Sequence, residues 1–367
     1  MALNAAPLGV GIVGLSADGG WGARGHLPAL AAVAGYELRA LTASTPESAR
    51  KASSAFGLPE SAAGTDAGEL AARDDVDIVV VTVRVPRHRE LILPVLQAGK
   101  TVLSEWPLGN GLAQAEELAS LAAGAGVRTA VGLQARSAPV VRYLRDLIAD
   151  GYVGEVLSTT LVGSGGGWGR AVPERTAYVA DRANGATLLT VPFGHTLDAL
   201  TMVLSGFDSL TATTATRRPE VRIAETGAPL AMTAEDQIAV TGRLASGAVA
   251  SLHYRGGSSR GTNLLWEING TEGDLVVTGG TGHLQFGQVE LRGSRGDEEA
   301  LRPLAVPESY QLAPGLEGPA GIVANAYAQL RADLAEGTHH VPDFAHAVAH
   351  HRLLDRITRA AETGTRQ

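Results

Sequence analysis

The chain has no cysteine, only two lysines and few aromatic side chains, and each shortage removes a class of function. Without thiols there is no disulfide, zinc thiolate site, iron–sulfur cluster or cysteine nucleophile, so any redox chemistry must come from a bound cofactor, and a cytoplasmic location is the expectation. Positive charge is also scarce: 30 basic residues face 38 acidic ones, for a net charge of −8. That balance leaves no electrostatic footprint for nucleic acid or for an anionic membrane surface. No run supplies the roughly 20 apolar residues that a membrane-spanning helix needs. Residues 1–17 are uncharged, yet they lack a basic start and are broken by Pro7, Gly9, Gly11 and Gly14, so they read as a first strand rather than a signal peptide. Lys51 and Lys100 are the only lysines, the other basic residues being arginine.

What is present is a globular chain of 367 residues, 45% hydrophobic and 19% charged, long enough for two domains. From residue 8 to about 132, short runs rich in Val, Ile, Leu and Ala alternate with helical segments. Strands are expected at 8–14, 37–43, 77–83, 101–105 and 127–132, with helices at 22–33, 46–55, 87–98 and 111–123, the last two closing at Gly99 and Gly124. Nearly continuous apolar strands suit a parallel sheet covered on both faces. The fold class is therefore α/β: a Rossmann doubly wound sheet followed by an α+β domain.

After residue 132 the pattern changes. A helix over 140–149 leads to a strand over 155–163 and then to a flexible glycine loop over 163–169. A helix over 195–204 precedes a β-rich stretch from 209 to about 291, with strands at 238–244, 248–254, 263–269 and 274–278 joined by turns such as Asn269-Gly270. This predicts a large, mostly antiparallel sheet with helices on one face. Its other face is expected to be apolar and to bind a second copy, giving a homodimer or homotetramer. A turn-rich stretch over 293–318 precedes helices at 321–336 and 344–362. The expected domains are residues 1–132, residues 133–340, and a C-terminal segment 341–367 packing back toward the first domain.

The segment joining the first strand to the first helix contains Gly14, Ser16, Gly19, Gly20 and Trp21. Aligned on Gly14, the dinucleotide fingerprint Gly-x-Gly-x-x-Gly becomes Gly14-x-Ser16-x-x-Gly19, with serine at the position where the backbone approaches a pyrophosphate. A helix N-terminus beyond it supplies free amides and partial positive charge for the anion. An NAD-selective site places an acid after the second strand. Here Ser44 and Thr45 stand there, with Arg50 and Lys51 beyond, which favours NADP while leaving NAD open; Ser44 and Thr45 equally suit a helix cap.

These features, with Gly25-His26-Leu27-Pro28, residues 77–88, Lys100-Thr101-Val102-Leu103-Ser104-Glu105 and the C-terminal Val341-Pro342-Asp343-Phe344, resemble the glucose-fructose oxidoreductase, inositol dehydrogenase and MocA family, collinearly over nearly the whole chain. The resemblance implies that Thr82, Val83, Pro86 and His88 face the cofactor. It also implies that Glu105, Trp106 and Pro107 stand where the family has Glu-Lys-Pro. Lys100 is no substitute for the lost lysine, being roughly 17 Å away along the strand at 3.3 Å per residue. The family's Asp-x-Gly-x-His run is matched at His195, with Val191 and Phe193 at the Asp and Gly positions. Glu105-Trp106-Pro107-Leu108-Gly109 and Asn184-Gly185-Ala186-Thr187 narrow the resemblance to the branch of the fungal galactose-regulon inhibitor and its bacterial relatives. In that branch, the resemblance implies, NAD(P) binding serves regulation through a partner protein.

Two classes of function follow. One is an NAD(P)-dependent oxidoreductase acting on a carbohydrate-like or related small hydroxyl or carbonyl substrate, with His195 as acid/base at an ordinary pKa near 6.5 and Tyr178 as a second catalytic candidate. Trp106, Trp168, Arg175, Arg182 and Phe193 are its candidate substrate contacts, and Trp21, Trp106 and Trp168 the aromatic faces for stacking. The other is a dinucleotide-binding regulator without turnover. No metal is expected: His339, His340, His346, His350 and His351 lack convergent carboxylates and read as helix-surface or packing residues.

Overall fold

The computed structural model describes residues 6–286 and 289–367. Residues 1–5 of the segment read as a first strand, and 287–288 of the β-rich stretch, lie outside the described residues. The chain divides into two compact units, residues 1–133 with 312–349, and residues 134–311 with 350–367. None of the described helices is long and apolar enough to cross a membrane.

The first unit opens with β1 (Leu8–Val13), a π-turn (Gly22–His26) and α1 (Leu27–Ala32). The sequence predicts one helix over 22–33. Instead the Leu27 amide bonds the Gly22 carbonyl five residues back, because Pro28 has no N–H to donate and the first turn widens. Next come β2 (Tyr36–Thr42), α2 (Pro46–Ala55), β3 (Ala63–Gly64), α3 (Ala67–Ala71), β4 (Ile78–Val81) and α4 (His88–Gln97). β5 (Thr101–Glu105), α5 (Leu112–Ala125) and β6 (Thr129–Gly132) complete the run. α5 passes through Gly124 and closes at Gly126 (φ 65°), so the left-handed cap sits two residues beyond the expected one. All six strands are parallel in the order β3-β2-β1-β4-β5-β6. Ile78, Val79, Val80 and Val81 are at most 1% exposed, as a strand covered on both faces requires. The strand order reverses between β1 and β4, which is the switch point where such sheets bind ligands.

The second unit begins with α6 (Pro139–Ala149) and β7 (Val156–Gly165). β8 (Ala171–Val172), α7 (Gly194–Leu204), β9 (Phe207–Ala215), β10 (Glu220–Ile223) and β11 (Pro229–Ala231) follow. Then come β12 (Gln237–Leu244), β13 (Val249–Gly256), β14 (Leu264–Gly270), β15 (Gly273–Gly279), β16 (Val289–Arg295) and β17 (Arg302–Pro303). Eight of these strands form one sheet, β17-β16-β15-β14-β7-β13-β12-β9, antiparallel except between β7 and β13. β8, β10 and β11 form a small separate sheet. β16 begins before the stretch read as turn-rich and runs into it, and the sequence hides it because Gly293, Ser294 and Arg295 interrupt its apolar alternation.

The glycine loop expected over 163–169 is mostly not a loop. Gly163, Ser164 and Gly165 continue β7 between β13 and β14, and a short turn (Gly166–Trp168) follows. The glycines answer a packing demand: a Cβ at Gly163 would lie 2.0 Å from the Tyr254 ring, and one at Gly165 2.4 Å from Leu188. One face of the large sheet carries the core residues Leu161, Leu252, Tyr254 and Trp266. On the opposite face, register aligns Thr211, Thr241, Ser251, Thr160 and Glu267 across neighbouring strands. That face is rich in hydroxyl and charged side chains, with Val249, the cross-strand pair Val162 and Leu265, and Val276 among them, rather than the largely apolar surface expected.

α8 (Gly318–Glu336) belongs with the first unit, not the second as the sequence reading has it. Its Val323, Ala324, Tyr327 and Leu330 share a core with Leu30, Tyr36 and Leu41. α9 (Phe344–Thr363) is divided: Phe344 N–H bonds Thr129 Oγ1 at 3.2 Å in the first unit, whereas from His350 onward the helix packs with the second. There Leu354, Ile357 and Ala360 are buried, and the C-terminal Gln367 pairs its backbone with Leu210. The expected return of the whole segment 341–367 to the first domain is thus limited to its beginning.

Candidate functional site

In the first unit a cavity of about 160 Å³ lies at the C-terminal ends of β1, β2 and β4, bordered by Gly14, Ser16, Ser44, Ser48, Val83 and Arg87 among others. Backbone geometry sets its floor. The amides of Gly14 and Leu15 both bond the Thr42 carbonyl, at 2.9 and 3.0 Å, which bends the chain away from β1. Gly14 has φ 89°, and a Cβ there would lie 2.6 Å from Val83 Cγ1; no L side chain fits. Gly19 and Gly20 are also left-handed, with φ 95° and 123°. Ser16 Oγ accepts the Asp18 amide at 3.2 Å, which leaves its own O–H to donate.

Other candidates for the dinucleotide are placed as follows. Thr45 caps α2, its Oγ1 accepting the Ser48 amide at 3.1 Å, so of the two hydroxyls only Ser44 borders the cavity. Lys51 pairs with Asp18 at 2.5 Å, spanning from α2 to the glycine turn. Thr82 Oγ1 donates to the Val13 carbonyl at 3.0 Å and so braces the end of β1. Pro86 is exposed in a short turn (Val85–Arg87). His88 is 1% exposed, its Nε2 3.0 Å from the Val83 carbonyl and its Nδ1 3.2 Å from the Leu108 carbonyl. Burial holds the imidazole below its ordinary pKa, so its single N–H donates to one of the two carbonyls while the ring packs between the loop after β4 and the loop after β5 rather than at the surface.

Glu105 is turned inward. Its Oε1 lies 3.0 Å from His26 Nε2, and His26 Nδ1 lies 2.8 Å from the Tyr327 hydroxyl. With the carboxylate accepting from Nε2, the Tyr327 O–H donates to Nδ1. Trp21 packs its edge on His26, ring centroids 6.3 Å apart. Trp106 is 5% exposed and joined to Pro107 by a cis peptide bond. The expected stacking faces of Trp21 and Trp106 are therefore a half-buried and a buried ring.

In the second unit, a π-turn (Leu189–Phe193) containing Pro192 leads directly into α7 and carries His195 into its first turn. His195 is 4% exposed and its Nδ1 has no hydrogen-bond partner among the described residues. Burial pushes its pKa down to about 3, opposed by the nearby Asp198 and reinforced by His283 and His350. The ordinary value assumed from sequence does not hold, because a protonated imidazole cannot be solvated there. Asp198 is itself buried and 3.4 Å from Arg136.

Phe193, expected to touch substrate, has no exposed surface and packs edge-on against Tyr254, centroids 5.3 Å apart. Trp168 is likewise buried, its Nε1 donating to the Val179 carbonyl at 3.1 Å. Val191 is half-buried. Tyr178 is half-buried and Arg175 exposed on a short helical turn (Glu174–Ala180). Arg182 is exposed, 3.8 Å from the buried Glu235. His350 bonds the Gly194 carbonyl at 2.9 Å, which ties α9 to the start of α7. Sequence reasoning missed Arg87, Arg136, Asp198, His283 and Gln285; of these only Asp198, a turn beyond His195 on the same helix, had a readable signal.

Residues 8–133 match the family described as oxidoreductase family, NAD-binding Rossmann fold, and residues 139–279 match the one described as Gal80p, C-terminal domain. The chain is similar to the galactose/lactose metabolism regulatory protein GAL80 of Saccharomyces cerevisiae, 30% identical over 334 residues that cover 86% of this chain and 76% of the relative. It is also similar to the dehydrogenase aclE of Aspergillus oryzae, 30% identical over 335 residues that cover 90% and 88%. Among solved structures it resembles a super-repressor mutant of Gal80p from Saccharomyces cerevisiae, with a TM-score of 0.89 and 26% identity over 99% of this chain and 97% of that one.

Two measurements test this geometry. Gly14→Ala forces a strained φ and a clash with Val83, and is expected to weaken dinucleotide binding by about 10–100-fold; titration calorimetry showing unchanged affinity would contradict the cradle. His195 and His351 are held at about 3 and His283 at about 4, each mainly by burial, whereas the unfolded chain protonates them near 6.5. The unfolded state therefore binds more protons, and stability is complete above pH 6.5 and falls as pH drops toward 3–4, by up to about 1.4 kcal/mol per pH unit and per histidine. Urea midpoints at pH 7 and pH 5 should differ in that direction, and less so in His195→Asn.

Proposed function

Because the chain belongs to the Gfo/Idh/MocA family of NAD-binding oxidoreductases, in the branch with a Gal80-like C-terminal domain, we propose that it is an NAD(P)-dependent oxidoreductase moving hydride to or from a carbohydrate-like or related small hydroxyl or carbonyl compound. The observation that carries this reading is the left-handed Gly14 turn pressed against Val83, which borders a cavity at the switch point of the sheet. Gly14, Ser16, Gly19 and Gly20 would hold the diphosphate. Bound there, a nicotinamide dinucleotide supplies the hydride donor or acceptor that the side chains lack. NADP is the favoured form, since Ser44, Ser48 and Arg87 border the cavity and no carboxylate does. Arg87 already bonds Glu90 at 2.7 Å, so its charge is shared and NAD remains a second ligand.

In this reading His195 acts as a neutral imidazole. One nitrogen donates and the other accepts, which orients a substrate oxygen; the low pKa keeps it from carrying a stable charge. In the first unit, Trp106 is uncharged where the family has lysine, which makes the end of β5 less polar than in lysine-bearing relatives. Tyr178, Arg175 and Arg182 are proposed to orient the substrate's remaining polar groups. A second reading, a dinucleotide-binding regulator acting through a protein partner, is favoured by the same Trp106 and by Val191, which remove the family's charged groups. The regulatory name of one relative and the dehydrogenase name of another fit the two readings in turn.

Single-turnover absorbance of the reduced nicotinamide, screened over sugars, lactols and ketones, separates them. Consumption with at least one substrate is expected; tight cofactor binding with no consumption by any would favour the regulator. Gain of sugar dehydrogenase activity in Trp106→Lys would mean that the site had been silenced rather than redirected. We further propose that the hydroxyl-rich face of the eight-stranded sheet joins two copies of the chain, its small side chains letting flat surfaces approach closely. Light scattering is expected to give a dimer or tetramer, and a monomer would exclude that contact.

A further inference from the structure

Nδ1 of His195, Nδ1 of His283 and Oε1 of Gln285 share one condition: each is buried without a hydrogen-bond partner among the described residues. His195, His283 and Gln285 are 4%, 8% and 2% exposed. Leaving such atoms unmade is costly, and native structures rarely tolerate it without a water or a ligand to complete the bonds.

His195 and His283 lie close enough to feel each other's charge, and Gln285 follows two residues after His283 in the same turn. The Tyr254 hydroxyl lies 2.8 Å from Thr196 Oγ1 and 2.8 Å from the Gly282 carbonyl. It thereby joins the residue after His195 to the residue before His283. Thr196 donates its own O–H to the Pro192 carbonyl at 3.1 Å, so the single Tyr254 O–H is shared between two acceptors, Thr196 Oγ1 and the Gly282 carbonyl. The His283 ring is held between two aromatic faces, Phe286 at 4.8 Å and 4° and Trp168 at 6.0 Å and 23°. Trp168 is in turn fixed by its bond to the Val179 carbonyl. With both faces covered, only the edge of the imidazole is left for hydrogen bonding, and the edge carries the unpartnered nitrogen.

The chemistry of the set is uncharged. A neutral imidazole gives one donor and one acceptor, and the glutamine oxygen is an acceptor. The nearby Arg136 is matched by Asp198, and among the described residues neither His195 nor His283 is in an ion pair with a carboxylate. A carboxylate or phosphate entering here would meet acceptors without a committed cation. Hydroxyl groups, which both give and take, suit such a set.

We infer that His283 and Gln285 are specificity-determining residues which, with His195, bind the hydroxyl groups of an uncharged polyhydroxylated ligand. This rests on the oxidoreductase reading for the identity of that ligand as the substrate. Trp168 and Phe286 act as positioning residues that hold His283 edge-on.

The test compares wild-type protein saturated with NADP, His283→Phe and Gln285→Leu. Binding of D-glucose, D-galactose, myo-inositol and D-gluconate is measured by saturation-transfer NMR and calorimetry, with thermal midpoints and NADP affinity recorded alongside. At least one uncharged polyol is expected to bind the wild type, and each variant to weaken it by about tenfold or more with NADP affinity unchanged. His283→Phe replaces an unpartnered polar edge by an apolar one, so its thermal midpoint should not fall. Wild-type protein that binds none of the polyols, variants that bind them as tightly, or preference for D-gluconate would each overturn the inference. Should His283→Phe fail to fold, Gln285→Leu alone decides. Polyol binding that depends on His283 without hydride transfer would leave the inference standing and remove the oxidoreductase reading; hydride transfer with a KM indifferent to both variants would do the reverse.

Discussion

No side chain fits between the turn after β1 and the end of β4. That single close approach, Gly14 against Val83, fixes much of the first unit. It lets the Thr42 carbonyl take two successive amides, and it brings the loop after β4 under the turn. His88 then carries the constraint onward, from the Val83 carbonyl to the Leu108 carbonyl, so the segment containing Trp106 and Pro107 is positioned by the same buried imidazole. Glu105 is drawn on the other side to His26, which Tyr327 holds by its other ring nitrogen. The strand end that holds a lysine in the family is thus braced on both flanks here, although the lysine itself is absent.

The second unit obeys a similar rule with different residues. Glycines in β7 make room for Tyr254, and Tyr254 joins the start of α7 to the loop before His283. The burial that follows is what decides the chemistry of His195. An imidazole sealed from water loses its charged form, so its service is hydrogen bonding rather than proton storage. Polar groups buried for a ligand are a local cost that the surrounding core offsets.

Much of the first unit was legible in the sequence because parallel strands buried on both faces appear as uninterrupted Val and Ile runs, and because Thr45-Pro46 marks a helix start. The strand Thr101–Glu105 and the helix Pro46–Ala55 appear at their expected limits. Harder to read was whatever depends on contacts distant in sequence. The glycines of residues 163–165 look like a loop until Tyr254, ninety residues on, is seen to require them. α8 looks like part of the domain it follows, yet its apolar face matches Leu30, Tyr36 and Leu41 near the other end of the chain. The fingerprint glycines were legible because positive φ at a strand-to-helix turn has few other solutions. Phe193 and Trp168 were not, since an aromatic side chain reads the same whether it lines a pocket or fills a core. His283 gave no signal at all: it is one histidine in a glycine-rich turn, and its importance arises only from the rings that hold it.

The central claim is that the turn at Gly14 holds the diphosphate of a nicotinamide dinucleotide. Calorimetric titration of the purified wild-type chain with NADP, NADPH, NAD and NADH tests it most directly. The account predicts saturable binding of at least one of the four, with one dinucleotide per chain and the 2′-phosphorylated forms preferred. Absence of binding for all four would contradict it.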